Sequence, residues 1–338
     1  METTSVPNST RKRANLSDLL IGRPLETRSL AHQVVSKKVG LAVFASDAIS
    51  STAYATEEIL VILALTGSLA YLGLSLPIAI AIGLLLVIVT ISYRQTIFAY
   101  PNGGGAYIVA RDNLGEVAAQ VAGAALLTDY ILTVAVSISS GVASTTRLLL
   151  IDVEPLVVIA VSVIAFMTIV NLRGVRESGA IFAVPTYFFL GMMFITLAVG
   201  FYRWATGTLG VVTGVEMLEN TAAPLTLFLI LRAFSSGSTA LTGIEAISNG
   251  ITAFKEPRSR NAARTLVVMS SLLIVLFLGI TVLSRHIQAI PSHHETIISQ
   301  MARAVYGAGS IPYLMLIAGT ALVLLMAANT SFADFPRL

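Results

Sequence analysis

The chain of 338 residues is 55% hydrophobic and only 12% charged, about half the charged share of a soluble domain. With a mean hydropathy of +0.84, that excludes a single soluble core and reads as an all-α polytopic membrane protein. The absence of cysteine excludes disulfides, thiolate metal sites and a cysteine nucleophile. The pI near 9.2 does not imply nucleic acid, because the basic residues fall in short gaps between apolar runs, as orientation signals do.

Residues 1–37, with Arg11, Lys12, Arg13, Arg23 and Arg28, form a polar arm that lacks the apolar core of a signal peptide. Eight apolar stretches follow, at 38–66, 71–93, 115–146, 153–171, 179–203, 223–253, 265–285 and 310–333. Each approaches or exceeds the ~20 residues that cross ~30 Å of hydrocarbon as a helix, and runs this long exclude a barrel. With the amino terminus inside, sixteen Lys and Arg lie on the cytoplasmic side. Four lie outside (Arg147, Arg203, Arg285 and Arg303), and Arg232 lies within a span. The positive-inside rule therefore predicts a multi-pass protein of the plasma (inner) membrane with a cytoplasmic amino terminus.

Two spans are interrupted. The first holds Ser46-Asp47-Ala48-Ile49-Ser50-Ser51-Thr52, where a plain membrane helix would carry Leu and Val. A charge at mid-bilayer costs at least ~2.5–3.5 kcal/mol, so a carboxylate kept there points to use. The sixth holds Ser235-Ser236-Gly237-Ser238-Thr239-Ala240-Leu241-Thr242-Gly243 and runs opposite to the first. Paired interruptions in two halves of a chain predict an inverted repeat with a site at mid-membrane, although Ser and Gly also permit plain close packing. This divides the chain into an arm (1–37), a first five-helix repeat (38–222) and a second repeat (223–338) with three spans. A five-helix repeat begun at the sixth span needs a ninth and a tenth, so the chain reads as carboxy-terminally incomplete.

Five acidic residues lie within spans: Asp47, Glu57, Glu58, Asp129 and Glu245. Asp129, Thr133 and Ser137 are spaced by four and share one helix face, with Tyr130 adjacent; back-bonding of the two hydroxyls to their own helix is the plainer alternative. Thr242 and Glu245 follow the second break, while Asp47 and Tyr54 lie at and after the first. An oxygen-only donor set suits a hard cation, which trades its hydration shell for such oxygens. Three carboxylates around one monovalent ion are too many negative charges, so at least one is protonated or titrates during transport; Glu245 and Asp129 are the candidates, and the sequence does not rank them. Glu57, Glu58 and Arg232 lie at similar depth and read either as an ion pair in an external gate or as groups facing a water-filled vestibule.

Pro101-Asn102-Gly103-Gly104-Gly105-Ala106-Tyr107 lacks the Lys-Ser/Thr that ends a P-loop and reads as a tight re-entrant turn. His293, His294 and Glu295 have unconvincing spacing for a metal, and no nucleophile–base pair suggests an enzyme.

That glycine loop, continued by Ile108-Val109-Ala110-Arg111 and Leu114-Gly115-Glu116, resembles the amino acid–polyamine–organocation (APC) superfamily of transporters. So do Ala233-Phe234, Gly243-Ile244-Glu245-Ala246 and the segment Lys255-Glu256-Pro257-Arg258 to Arg264. The resemblance implies a LeuT/APC-type fold of five plus five inverted helices, broken first and sixth, working by alternating access. Within it, Ser46–Tyr54, Asp129–Ser139 and Ala240–Asn249 are similar to the bacterial potassium–proton symporters of the KimA type. That likeness implies potassium sites at Asp47, Tyr54, Asp129, Tyr130, Thr133, Ser137, Thr242 and Glu245. It also implies transported potassium and protons in place of any cofactor, and a homodimer for the full-length protein. The alternative is an amino-acid/proton symporter of the same fold, whose first break is usually Gly-rich to hold a carboxylate; no Gly lies between Leu41 and Thr66 here. A channel or a non-transporting sensor is the further alternative.

Overall fold

A computed structural model describes residues 36–103, 105–149, 156–172, 179–218 and 222–334. Among them the chain is built of helices and short 3-10 turns. Among the described residues, six helices are long and apolar enough to cross a membrane: Ser75–Ala99, Glu116–Thr145, Ala183–Ala205, Leu227–Asn249, Arg258–His286 and Ile311–Phe332. The first and fourth apolar runs are helical too. The first is cut into α1 (Lys37–Phe44), α2 (Ser46–Ser51) and α3 (Ala55–Ala64), and the fourth, α7 (Leu156–Leu172), has 17 residues.

Between them run α4 (Ser75–Ala99), α5 (Ala106–Leu114), α6 (Glu116–Leu149) and α8 (Gly179–Ala205). The second interrupted helix consists of α9 (Leu227–Gly237), a 3-10 turn (Ser238–Leu241) and the five-residue α10 (Glu245–Asn249). Then come α11 (Arg258–His286), α12 (Ile297–Tyr306) and α13 (Ile311–Asp334). Local chemistry sets the starts: Ser36, Thr226 and Thr296 each accept a hydrogen bond from a first-turn N–H, capping α1, α9 and α12.

The apolar residues divide between a core and a lipid-facing surface. On α4, Ile82 and Leu86 are fully buried, whereas Leu84, Ile88 and Ile91 are more than half exposed. An exposed aliphatic stripe at helical spacing fits a hydrocarbon surrounding. Helix α13 packs along α6 and α8 and against α2, α11 lies along α4, and α9 lies along α3.

Three elements differ from the sequence reading. Helix α11 starts at Arg258, two turns before the apolar run at 265. The charges of Arg258, Arg260 and Arg264 mask a helical face whose Asn261, Ala262 and Thr265 are buried. Helix α5 occupies a stretch read only as a turn and loop. Helix α12 was not anticipated; it is an amphipathic helix that buries Ile297, Ile298, Met301, Ala302 and Val305 and is too short and polar to register as an apolar run.

Candidate functional site

The first interruption is a turn later than the sequence suggested. Ala45 N donates to Leu41 O and Ile49 N to Ala45 O, so α1 and α2 nearly continue one another. The ladder changes at Thr52, Ala53 and Tyr54, whose amides donate three residues back. The hydroxyl run serves this change: Ser50, Ser51 and Thr52 donate to the carbonyls of Asp47, Ala48 and Ile49 at 2.6–2.7 Å. These hydroxyls thereby answer the carbonyls beside the kink.

The second interruption is sharper. Thr242 is extended, Gly243 has φ +79°, and helix resumes at Glu245. This break packs against α2, just before the kink of the first span. A Cβ on Gly243 would stand 2.7 Å from Ala48 N and 2.9 Å from the Asp47 carboxylate, and Ser51 Oγ donates to Ala240 O at 3.3 Å. Asp47 and Glu245 are 5% and 7% exposed. Tyr54, also buried, stands beside the Thr242 hydroxyl and within electrostatic reach of Asp47 and Asp129.

On α6, Tyr130, Thr133 and Ser137 are buried. Hydroxyls elsewhere on this helix bond back to it: Thr128 to Ala124 O and Ser139 to Ala135 O. Ser137 Oγ does not; it is buried without a hydrogen-bond partner among the described residues. Back-bonding, the plainer alternative raised by the sequence, therefore does not account for it. Asp129, Asp47, Tyr54, Thr242 and Glu245 converge on one region, with Thr133 and Ser137 extending the α6 face.

Tyr93 of α4 belongs with them and was missed. Its phenol lies within electrostatic reach of both Glu245 and Asp129. At the end of an apolar run beside Arg94, it carried no signal in the sequence.

The two interrupted helices touch on both sides of this region. On the amino-terminal side, Phe44 and Phe254 stack at 5.4 Å; the Phe254 ring covers Gly40 and the Phe44 ring covers Gly250. On the opposite side, Ile59 of α3 fills the space over Gly237 of α9. There Glu58 accepts from Ser236 Oγ at 2.9 Å, and Glu57 accepts from Ile297 N of α12 at 3.3 Å. The Glu–Arg232 ion pair is not formed in this structure. Arg232 is exposed, and both carboxylates are turned to other partners. Glu295, next to His294, is held by Arg303, which donates to both its oxygens at 3.1 and 2.9 Å. No cluster of three metal-ligating side chains occurs among the described residues.

An oxygen-rich enclosure at the junction of two interrupted helices suits a small hydrophilic cargo. A family model described as amino acid permease matches residues 40–338. The chain is also 46% identical over 324 residues to the potassium transporter KimA of Bacillus subtilis (strain 168). The alignment covers 96% of this chain and 53% of that protein, so the chain spans about half the length of its relative.

Proposed function

The chain belongs to the amino acid permease family, and from that premise we propose that it is a secondary active transporter importing potassium with protons by alternating access. One observation carries the choice of cargo. The Asp47 carboxylate and the Ala48 amide both lie against Gly243, where an amino-acid permease needs bare helix amides for a substrate carboxylate. A second carboxylate would be repelled there, whereas a cation is drawn in. The potassium transport named for the 46% identical relative supports the same reading.

In this proposal the ion exchanges water for oxygens of Asp47, Tyr54, Asp129, Tyr130, Thr133, Ser137, Thr242 and Glu245, which bind weakly enough to release it. One of Asp129 and Glu245 carries the proton. The two halves, 38–222 and 223–338, act as inverted repeats with eight spans, the amino-terminal side faces the cytoplasm of the inner (plasma) membrane, and the full-length protein is a homodimer. Glu57, Glu58 and Arg232 belong to the external gate, their partners changing as it opens.

The test is uptake by the full-length protein in a host lacking its own potassium uptake, with an ionophore control and an Asp47→Asn variant. Potassium accumulation that collapses with the proton gradient and is lost in Asp47→Asn is the expected result. Accumulation of an amino acid without potassium would overturn the cargo. Unchanged potassium uptake by Asp47→Asn would remove that residue from the site.

A further inference from the structure

Gly103 and Gly105 are not explained by the ion site. The space beside Gly105 is filled by Asn249. A Cβ on Gly105 would overlap Asn249 Oδ1 and stand 2.9 Å from its Cγ. Gly103, at φ +100°, brings the loop to 3.4 Å, measured from its would-be Cβ, of the Asn249 carbonyl oxygen. The glycines are therefore needed for close approach as well as for the turn.

Asn249 is the last residue of α10 and Glu245 the first, so the two stand one turn apart on one face. That helix has five residues and hangs between Gly243 and Gly250. Elements flanked by glycines take little direction from the chain on either side, so contacts along α10 decide where Glu245 stands. On its far side the loop is anchored to the helix that carries Asp129. The ring of Tyr107 lies 3.3 Å from where a Cβ on Gly123 of α6 would be, and α5 packs along α6. Its two ends are tied to each other as well, since Asn113 Nδ2 of α5 donates to the OH of Tyr100, the residue that follows α4, at 2.9 Å.

We propose that the glycine loop is a brace that sets the separation of Glu245 from Asp129, gripping α10 at Asn249 and leaning on α6 through Tyr107. Gly105 and Asn249 are positioning residues: they touch no cargo and act through Glu245. The proposal rests on the reading of Glu245 and Asp129 as walls of one ion site.

The test is a double-mutant cycle in the full-length protein. Gly105→Ala pushes Asn249 away and raises the potassium concentration for half-maximal uptake about tenfold, with maximal rate and membrane abundance little changed. Asn249→Ala only removes atoms and raises it about threefold. Adding Asn249→Ala to Gly105→Ala relieves the overlap, so the double variant returns to the Asn249→Ala value. A double variant as impaired as Gly105→Ala alone, or a Gly105→Ala curve like wild type, overturns the brace. If Gly105→Ala does not reach the membrane, Asn249→Gln overfills the same pocket from the other side and must raise the half-maximal concentration. Amide hydrogen exchange over 245–250 in purified protein is read alongside. It quickens in Gly105→Ala and in Asn249→Ala, and in the double variant it falls back to the Asn249→Ala rate, whatever the cargo is. Wild-type protein that fails to carry potassium refutes the cargo reading, while exchange unchanged by either single variant refutes the brace.

Discussion

Substituting Gly243 by Ala tests the junction of the two interrupted helices, and its cost separates into two parts. An L-residue at φ +79° bears the left-handed penalty of roughly 1–2 kcal/mol. The added methyl also stands 2.7 Å from Ala48 N and 2.9 Å from Asp47 Cγ and Oδ2, closer than real carbon contacts. The amide belongs to α2 backbone and cannot swing aside, so the Asp47 carboxylate or the whole of α2 must move. Overpacking of this kind costs about 1–3 kcal/mol. Gly309 isolates the first part: it lies in a turn with φ +71° and no atom within 4 Å of a would-be Cβ. Gly309→Ala should lower thermal stability by the backbone penalty alone and leave uptake affinity untouched. Gly243→Ala should lose, in addition, roughly 5- to 150-fold in potassium affinity, since each 1.4 kcal/mol is about tenfold. Uptake curves normalised to membrane abundance and thermal unfolding of the purified full-length protein give both quantities. Equal loss of affinity in the two variants, or wild-type affinity in Gly243→Ala, would refute the reasoning.

Phe254→Ala removes a fully buried ring that covers Gly40 and stacks on Phe44. At ~3–5 kcal/mol for a buried phenylalanine, it should hold the amino-terminal side open, read as faster thiol labelling of Ser46→Cys in this otherwise cysteine-free stretch. Tyr93→Phe keeps the ring and removes the hydroxyl near Glu245 and Asp129; it should alter the pH profile of uptake with abundance unchanged, and an unaltered profile separates Tyr93 from the carboxylates. Glu295→Gln breaks the two-pronged contact with Arg303, whose carboxylate side is 1% exposed. Breaking a buried pair costs about 3–5 kcal/mol, so Tm should fall, and Arg303→Lys should also fall because an ammonium does not reproduce the fork. Glu58→Ala frees Ser236 and should speed exchange of α9 amides, whereas Glu58→Gln, which keeps an acceptor for the 2.9 Å bond, should not.

What the sequence made legible follows from which features are local. A carboxylate in an apolar run, and hydroxyls spaced by four on α6, are visible without neighbours because the bilayer makes each costly. The helical state of the apolar runs is equally local. What could not be read depends on the far side of a contact. Tyr93 looks like any aromatic at a membrane interface until α4 is set beside α10. Glu57 and Glu58 invite pairing with Arg232 because charge is the only term visible in the chain. In the fold a serine hydroxyl and a helix amide are nearer. The kink at 52–54 fell a turn beyond the expected break because the hydroxyls sit before the unwound amides, with their Oγ atoms on the carbonyls they serve. Arg258 to Arg264 hid the start of α11 for a related reason, since long basic side chains can lie along a helix whose other face is buried.

The pairing of the interrupted helices links their sequence to their mechanics. Gly40-Leu41-Ala42-Val43-Phe44 and Gly250-Ile251-Thr252-Ala253-Phe254 share a Gly-x-x-x-Phe spacing, and each phenylalanine covers the other segment's glycine. The contacts then run in register from one end to the other: Phe44 with Gly250, Ala48 with Gly243, Ser51 with Ala240, and Glu58 with Ser236. Numbers that rise along one helix fall along the other, so the two are antiparallel; Gly243 meets α2, and the 3-10 turn Ser238–Leu241 lies beside the start of the kink at 52–54. Such a pair can part at either end while the middle stays together. The aromatic clasp closes one end by packing alone, and the Glu58–Ser236 bond with Ile59 over Gly237 closes the other. Under the proposed alternating access, Asp47, packed against Gly243 between these two contacts, would meet a cargo from whichever end had opened.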